Sequence, residues 1–444
     1  LGSDNVAVLN ANGTLFKEWD LPDGSIPRGL VVHSSGTVLL VYCFGTNEVR
    51  TYRWGNNPPT PLITYKLSHD PTPTVLKEGR AVFFDAGNSA QKNLSCATCH
   101  IDGGSDLLAW NLSNMPKDDK GPMITQTLVG LERLAPFHWR GERELIDFNG
   151  AFDGLLGNNG PIAVADFDKM QAWLFALKNP ANPFQNRERV IDSSIQFITN
   201  LPGGAAPPIG NAVIGQTEFR NTMTFQGRFT CNTCHAQPTG SNNAIVNDFP
   251  SSVVAEKSHL KVAPFHETWR RQQTVVDLSF TNTQGVEGPH RRSFLGVGAS
   301  HSGAVEDVFR FIELVPGGAA LGNIAAFVHQ WDQGLAPAVH ATFLLNGATL
   351  GQAGSELQGY LEKQAAVRNC DLVAFGTLNI LGVPTRVRWN FDRTDTTGKP
   401  FKADHPAVAA RSTNDFIAVA TSQPHLFLGL PVGMGPGLAG DLDR

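Results

Sequence analysis

Two five-residue frames constrain this chain more than any other feature: Cys96-Ala97-Thr98-Cys99-His100 and Cys231-Asn232-Thr233-Cys234-His235, both of the form C-x-x-C-H. The pattern is the attachment site of c-type haem. Two thiols form thioethers to the porphyrin vinyl groups, and the adjacent histidine turns its imidazole onto the iron. At the Cys and His frequencies of this sequence, on the order of 0.002 such frames would arise by chance in a chain of this length, so a pair is not accidental. A zinc ribbon wants its C-x-x-C pairs about 15–20 residues apart, whereas these stand roughly 135 apart. A thioredoxin-like site has no need of the following histidine, and neither frame lies in a βαβ pattern. The chain is therefore expected to carry two covalently bound haems c. Cys96, Cys99, Cys231 and Cys234 are the expected thioether residues, and His100 and His235 the expected iron ligands.

Covalent haem attachment takes place outside the cytoplasm, so the mature protein is expected to be periplasmic or extracellular. The sequence opens at Leu1 without an initiator Met, an apolar leader or a cleavage motif, so an upstream segment is expected, either removed or lying outside this sequence. Cys43 and Cys370 are left over. In an oxidising compartment they are either a disulfide or two lone buried thiols. With 35 Lys and Arg against 40 Asp and Glu, a net charge of −5 and no long basic run, neither nucleic acid nor an anionic membrane surface is expected as the main partner. No run approaches the ~18 consecutive apolar residues of a membrane span. A charged fraction of 17%, with 45 Gly and 28 Pro, describes a folded protein rich in loops.

Residues 1–66 read as β. Val6–Leu9, Leu15–Trp19, Gly29–Val32 and Val38–Tyr42 are short apolar or alternating runs separated by Asn12-Gly13, Asp23-Gly24 and Ser35-Gly36. They resemble one blade and a little more of a β-propeller of the YVTN type. A single blade cannot close a propeller, so further blades upstream, another chain or the haem modules are expected against it. A Pro-rich interval leads into a first haem module over residues 67–205. There Phe167, Met170, Leu174 and Leu177 recur with helical period and predict an amphipathic helix ending at Asn179-Pro180. A second module is expected over 206–337, where Val305, Val308, Phe309 and Ile312 predict a helix directly after His301. From 338 to 444, the run Leu372–Phe375 and the alternation Thr385, Val387, Trp389 predict a small β-rich segment. The expected fold class is mainly α: two tandem cytochrome c-like haem modules, β-propeller blade material at the N-terminus and a β-rich C-terminal segment.

Two stretches follow the frames, Pro136-Phe137-His138-Trp139-Arg140-Gly141-Glu142-Arg143 after the first and Ser300-His301-Ser302-Gly303-Ala304-Val305 after the second. With them, the chain resembles the bacterial di-haem cytochrome c peroxidase superfamily, in the subgroup fused to a YVTN-type β-propeller. That superfamily also holds the quinone-maturing di-haem enzyme and the di-haem rubber oxygenase. The resemblance extends over nearly the whole chain, and the haem frames are its specific part. It implies that His100 is the proximal ligand of the haem that meets substrate, and His235 that of the electron-transferring haem. Trp139, in a Trp-x-Gly-x-Arg frame, matches the tryptophan that relays electrons between the haems; the competing reading is an aromatic filling core beside a porphyrin. Members of the superfamily often hold calcium between the haem modules, so calcium is a further implied cofactor, although no loop here specifies it.

Both haem sites depart from the family pattern. The peroxidases place a Gln and a Glu on the open side of the first haem. Here Asn149 takes the place of the Gln, no Glu stands at the matching position, and Phe152 with leucines fills the stretch. Peroxide cleavage needs a group that carries a proton from the inner to the outer oxygen, typically worth roughly 10²–10⁴-fold. The apolar lining is closer to the oxygen site implied for the rubber oxygenase. At the second haem the family's Met or Tyr ligand is replaced by Val315. An imidazole from His301, His290 or His266 is then the expected sixth ligand, with His301 favoured, and bis-His ligation lowers the potential relative to His/Met.

The function expected is a di-haem c-type oxidoreductase, peroxidase-like, reducing hydrogen peroxide or oxygen at the first haem with electrons delivered through the second haem and Trp139. Trp139, Asn149 and Phe152 are the candidate catalytic residues, and His100, His235 and His301 the candidate iron ligands. A small redox protein as electron donor or acceptor and a small-molecule oxidant are the expected partners. Two alternatives remain. An electron-transfer or structural cytochrome subunit of a larger assembly explains the missing Glu and the lone blade. A rubber-oxygenase-like oxygenase explains the Phe152 lining.

Overall fold

Apolar alternation broken by glycine turns produces six strands before residue 67. In a computed structural model the described residues are 2–56, 58–67, 72–112, 123–194, 210–224, 227–246, 259–266, 268–271 and 321–435. β1 (Asn5–Leu9) pairs with β2 (Leu15–Asp20). β3 (Pro27–Val32), β4 (Val38–Cys43), β5 (Glu48–Arg53) and β6 (Thr60–Lys66) form a four-stranded antiparallel sheet in chain order. Period-two alternation sends Leu39, Val41 and Cys43 to one face, where they share a buried cluster with Val6, Trp19, Leu21 and Tyr52.

The chain divides into two compact units, Leu1–Asn179 with Gln196–Trp331, and Pro180–Ile195 with Asp332–Arg444. The first unit contains a duplicated helical arrangement around the two frames. Before the first frame stands α1 (Thr74–Phe84), the frame itself forms the single turn α2 (Cys96–Cys99), and after it come the turn α3 (Ala151–Gly154) and the longer α4 (Val164–Ala176). Around the second frame, α6 (Cys231–Cys234), stand α5 (Ala212–Asn221) and α7 (Leu321–His329). α1 packs on α4, and α5 on α7.

Each packing is built on a helical glycine. A Cβ on Gly79 would stand 1.9 Å from the Lys169 carbonyl oxygen, and one on Gly215 would stand 1.8 Å from that of Asn323. One turn further along the same face, Phe83 meets Trp173 at 4.7 Å between ring centroids and Phe219 meets Phe327 at 5.1 Å. A mid-helix glycine costs about 1 kcal/mol relative to alanine. Here it lets two backbones approach closely enough to seat an aromatic pair beside them. The predicted periodic residues Phe167, Met170 and Leu174 are buried on α4, which ends at Ala176. The helix predicted at Val305–Ile312 lies outside the described residues.

Two short ribbons complete the described part of this unit, β7 (Ala109–Trp110) with β8 (Met123–Ile124), and β9 (Ile245–Val246) with β10 (Leu260–Lys261). Among the described residues no helix is long and apolar enough to cross a membrane.

The second unit is an antiparallel five-stranded sheet in the order β11-β15-β12-β13-β14: β11 (Thr342–Leu345), β12 (Asp371–Ile380), β13 (Val383–Phe391), β14 (Phe401–Ala403) and β15 (His425–Leu430). Val387 and Trp389 face inward with Leu372, Phe401 and Phe427. Helices Glu362–Ala366 and Thr413–Val419 accompany the sheet, the second contributing Phe416 to this core.

The mainly α fold class expected from the sequence is therefore corrected. Among the described residues about 28% are helical and 24% strand, with five small antiparallel sheets. The physical reason is that the haem frames suggested helices, but the chain around them is rich in Gly and Pro. These residues shorten helices and leave long turns and two-residue ribbons between them. Both ends of the chain, meanwhile, pair into sheets.

Candidate functional site

Both C-x-x-C-H frames fold into the same single turn. Ser95 and Thr230, extended, precede them, and their N–H groups donate to the Thr98 and Thr233 hydroxyls at 3.0 and 3.1 Å. The His100 N–H donates to the Cys96 carbonyl and the His235 N–H to that of Cys231, both at 2.9 Å. One helical turn sets residues three apart on one face, so the two thiols of each frame are neighbours.

The histidine rings are held alike. His100 Nδ1 lies 2.9 Å from the Gln126 carbonyl oxygen, and His235 Nδ1 lies 2.8 Å from that of Gly240. A carbonyl only accepts, so in each ring Nδ1 carries the proton and Nε2 keeps its lone pair, the form in which imidazole ligates a metal. Burial holds His100 below its usual pKa, so it is the neutral ring that is presented. The His235 ring also stacks on Phe265 at 4.2 Å and 11°. Trp331 packs edge-on against Phe265 at 5.1 Å and donates its indole N–H to the Pro238 carbonyl at 2.8 Å, bracing the turn that follows the second frame.

The thiols lack the character of a redox-active dithiol. Burial pushes the Cys96 thiol up to about 12 and raises Cys99, Cys231 and Cys234 in the same direction. Reactive C-x-x-C dithiols are shifted the opposite way, toward the thiolate. All six cysteines are free, with Cys43 and Cys370 each buried in the core of its own unit. Among the described residues no three His, Cys, Asp or Glu side chains are grouped to hold a metal ion, zinc or calcium. The donor set fits haem: two adjacent neutral thiols and one oriented imidazole in each frame.

Trp139 sits in a tight loop closed by the bridge between Phe137 and Arg143, with His138 and Gly141 at φ +75 and +65. The indole is 3% exposed and donates its N–H to the Ile124 carbonyl on β8 at 2.8 Å. It packs with Ile124 and with Leu260 on β10, so the loop that follows the first frame is enclosed partly by chain that follows the second.

Asn149 is committed to the backbone. Its Nδ2 donates to the Ile162 carbonyl at 3.0 Å and its Oδ1 accepts from the Ile162 N–H at 3.1 Å. Phe152 is 2% exposed and packs in the core that holds Phe83, Phe84, Phe167 and Trp173, a different cluster from that of Trp139. His301, His290 and Val315 lie outside the described residues. His266 Nδ1 lies 3.1 Å from the Asn179 amide nitrogen.

Sequence reasoning missed Gly79 and Gly215. The spacing Gly-x-x-x-Phe shortly before each frame was their signal. It also missed Lys261, a lone cation in the apolar run Leu260-Lys261-Val262-Ala263, whose Nζ is turned inward onto the carbonyls of Leu134 and Pro136.

No family model matches the chain, and no curated protein does. Among solved structures, it is similar to Kuenenia stuttgartiensis hydrazine synthase pressurised with 20 bar xenon, at 14% identity and a TM-score of 0.38 over 60% of this chain and 90% of that one. A likeness of that size assigns neither fold nor activity.

Proposed function

We propose that the chain is a di-haem c-type redox protein acting outside the cytoplasm. Cys96, Cys99 and His100 hold one haem, Cys231, Cys234 and His235 hold the other, and Trp139 conducts electrons between the two sites. The observation that carries the reading is the shared geometry of the frames, each presenting two neighbouring thiols and a histidine whose Nδ1–H is fixed on a carbonyl. Haem bound there would supply one-electron redox chemistry at each iron. Trp139 is buried, and its N–H faces a carbonyl that cannot take a proton, so the indole can lose and regain an electron without losing its proton. On the resemblance, hydrogen peroxide or oxygen is the oxidant reduced at the first site, and a small redox protein the electron partner.

A second reading, electron transfer without peroxide turnover, is favoured by Asn149. Its amide is taken up by Ile162, so the residue expected to stand in for the peroxidase Gln is not free to meet a reactant.

The experiment is secretion of the chain from a host with a c-type maturation system, followed by denaturing mass spectrometry. Two covalent haem adducts are expected, falling to one in C96A/C99A and to one in C231A/C234A. A chain without adducts overturns the reading. Stopped-flow mixing of the reduced two-haem protein with peroxide then separates the two functions: rapid oxidation supports the peroxidase, and none supports the electron carrier.

A further inference from the structure

Lys261 is 3% exposed, and its ammonium group is directed into the protein. Nζ donates to the carbonyls of Leu134 and Pro136, the second at 2.6 Å, and the main-chain N–H of the same residue donates to the Trp139 carbonyl at 2.9 Å. One residue thus holds three carbonyls between positions 134 and 139. Just before β9, the Asn243 side-chain amide donates to the Arg133 carbonyl at 3.2 Å. The aliphatic stem of Lys261 lies over Gly141, where an added Cβ would come within 3.3 Å of Lys261 Cβ and 3.4 Å of its Cδ.

An ammonium group is costly to bury, and an apolar side chain of similar volume is often neutral or stabilising in its place. Charge-assisted bonds to carbonyls are shorter and roughly twice as strong as neutral ones, and they are directional. They fix the loop rather than merely fill the space beside it.

We infer that Lys261 is a positioning residue: its bonds to Leu134, Pro136 and Trp139 hold the tryptophan loop in register between the two haem sites and so set how well Trp139 conducts between them. This rests on the proposed relay role of Trp139. Lys261 follows the second frame and the loop follows the first, so the relay of one half of the unit is adjusted by a side chain from the other. A loop left free to shift changes the tunnelling distances to and from Trp139, and electron transfer falls off exponentially with distance.

The test is made on the two-haem protein. One-electron reduction by pulse radiolysis is followed by observing equilibration between the haems in wild type, W139F, K261M, K261R and K261Q. W139F and K261M are expected to slow equilibration about tenfold or more. K261R, which keeps a charged donor, is expected to recover part of the rate. An ultraviolet resonance Raman difference spectrum against W139F isolates the Trp139 indole, and K261M is expected to weaken its N–H hydrogen bond to Ile124. If W139F equilibrates at the wild-type rate, the relay reading itself fails. If W139F is slow while K261M keeps both the wild-type rate and the indole signature, the positioning inference alone is overturned. Should K261M not load haem, K261Q decides in the same way, because it keeps a polar side chain beside the carbonyls and removes the charge.

Discussion

Gly79 on α1 and Lys169 on α4 approach so closely that a Cβ on the glycine would stand 1.9 Å from the lysine's carbonyl oxygen. Gly215 and Asn323 repeat the relation at 1.8 Å around the second frame. The obstructing atoms are backbone and cannot turn aside as a side-chain tip can. Gly79→Ala and Gly215→Ala are each expected to force the helices apart and cost about 1–3 kcal/mol, or more, despite alanine's better helix propensity. Urea unfolding of the two variants checks this, and wild-type midpoints in both would show that the helices can slide past the added methyl.

Asn149 carries a second expectation. Removing its amide leaves the Ile162 N–H and carbonyl without these partners in a half-buried place, at a cost of about 1–3 kcal/mol. Asn149→Ala is therefore expected to lower the thermal midpoint by several degrees while the rate of oxidation by peroxide stays near that of wild type. An unchanged midpoint with a large fall in that rate would show instead that the amide turns to a reactant.

Local order was legible in the sequence where a periodicity had one explanation. Strands β1 to β4 follow from apolar runs between glycine turns, and α4 from Phe167, Met170 and Leu174. The balance of helix and strand was not legible. A C-x-x-C-H frame states which atoms meet a porphyrin, and α2 and α6 show that it occupies only four residues of helix. Its surroundings are set by Gly and Pro, which the frame does not announce. The brace on Trp139 was hidden for a different reason: Lys261 and Pro136 are 125 residues apart, and no local pattern reports a bond over that separation. Asn149 and Phe152 were chosen by matching positions to a family. The structure shows the first holding a loop and the second filling a core.

Lys261 also gives the protein a signature in alkaline solution. Burial lowers its pKa from the usual value near 10.5 to about 8. Between these values the folded chain releases the proton while the unfolded chain still holds it, so unfolding takes up a proton. Stability attributable to this group therefore rises with pH from about 8 to about 10.5, by on the order of 3 kcal/mol at most. Against K261M, measured by denaturant midpoints from pH 7 to 10.5, wild type is expected to gain relative stability across that window. Parallel curves would show that the ammonium is not desolvated as the structure places it.

His425 acts in the opposite range and in the second unit. It is wholly buried, its ring stands edge-on to Phe416 and Trp389 at 4.9 and 5.5 Å, and its Nε2 accepts from Arg411 Nη1 at 3.1 Å. That bond requires the neutral ring, and burial, aided by the Arg411 charge, lowers the pKa to about 4. Below about 6.5 the unfolded histidine takes a proton that the folded one refuses until about pH 4. The stability of this unit is therefore lost progressively as pH falls between those values, by on the order of 3 kcal/mol. His425→Gln keeps an acceptor for Arg411 and does not titrate. It is expected to be less stable at pH 7, because it gives up ring packing, yet to lose less on acidification to pH 4.5. Urea midpoints at several pH values, read from Trp389 fluorescence with the other tryptophans substituted, measure the difference. Equal acid slopes in the two proteins would mean that His425 protonates within the fold and that the Arg411 contact yields to it.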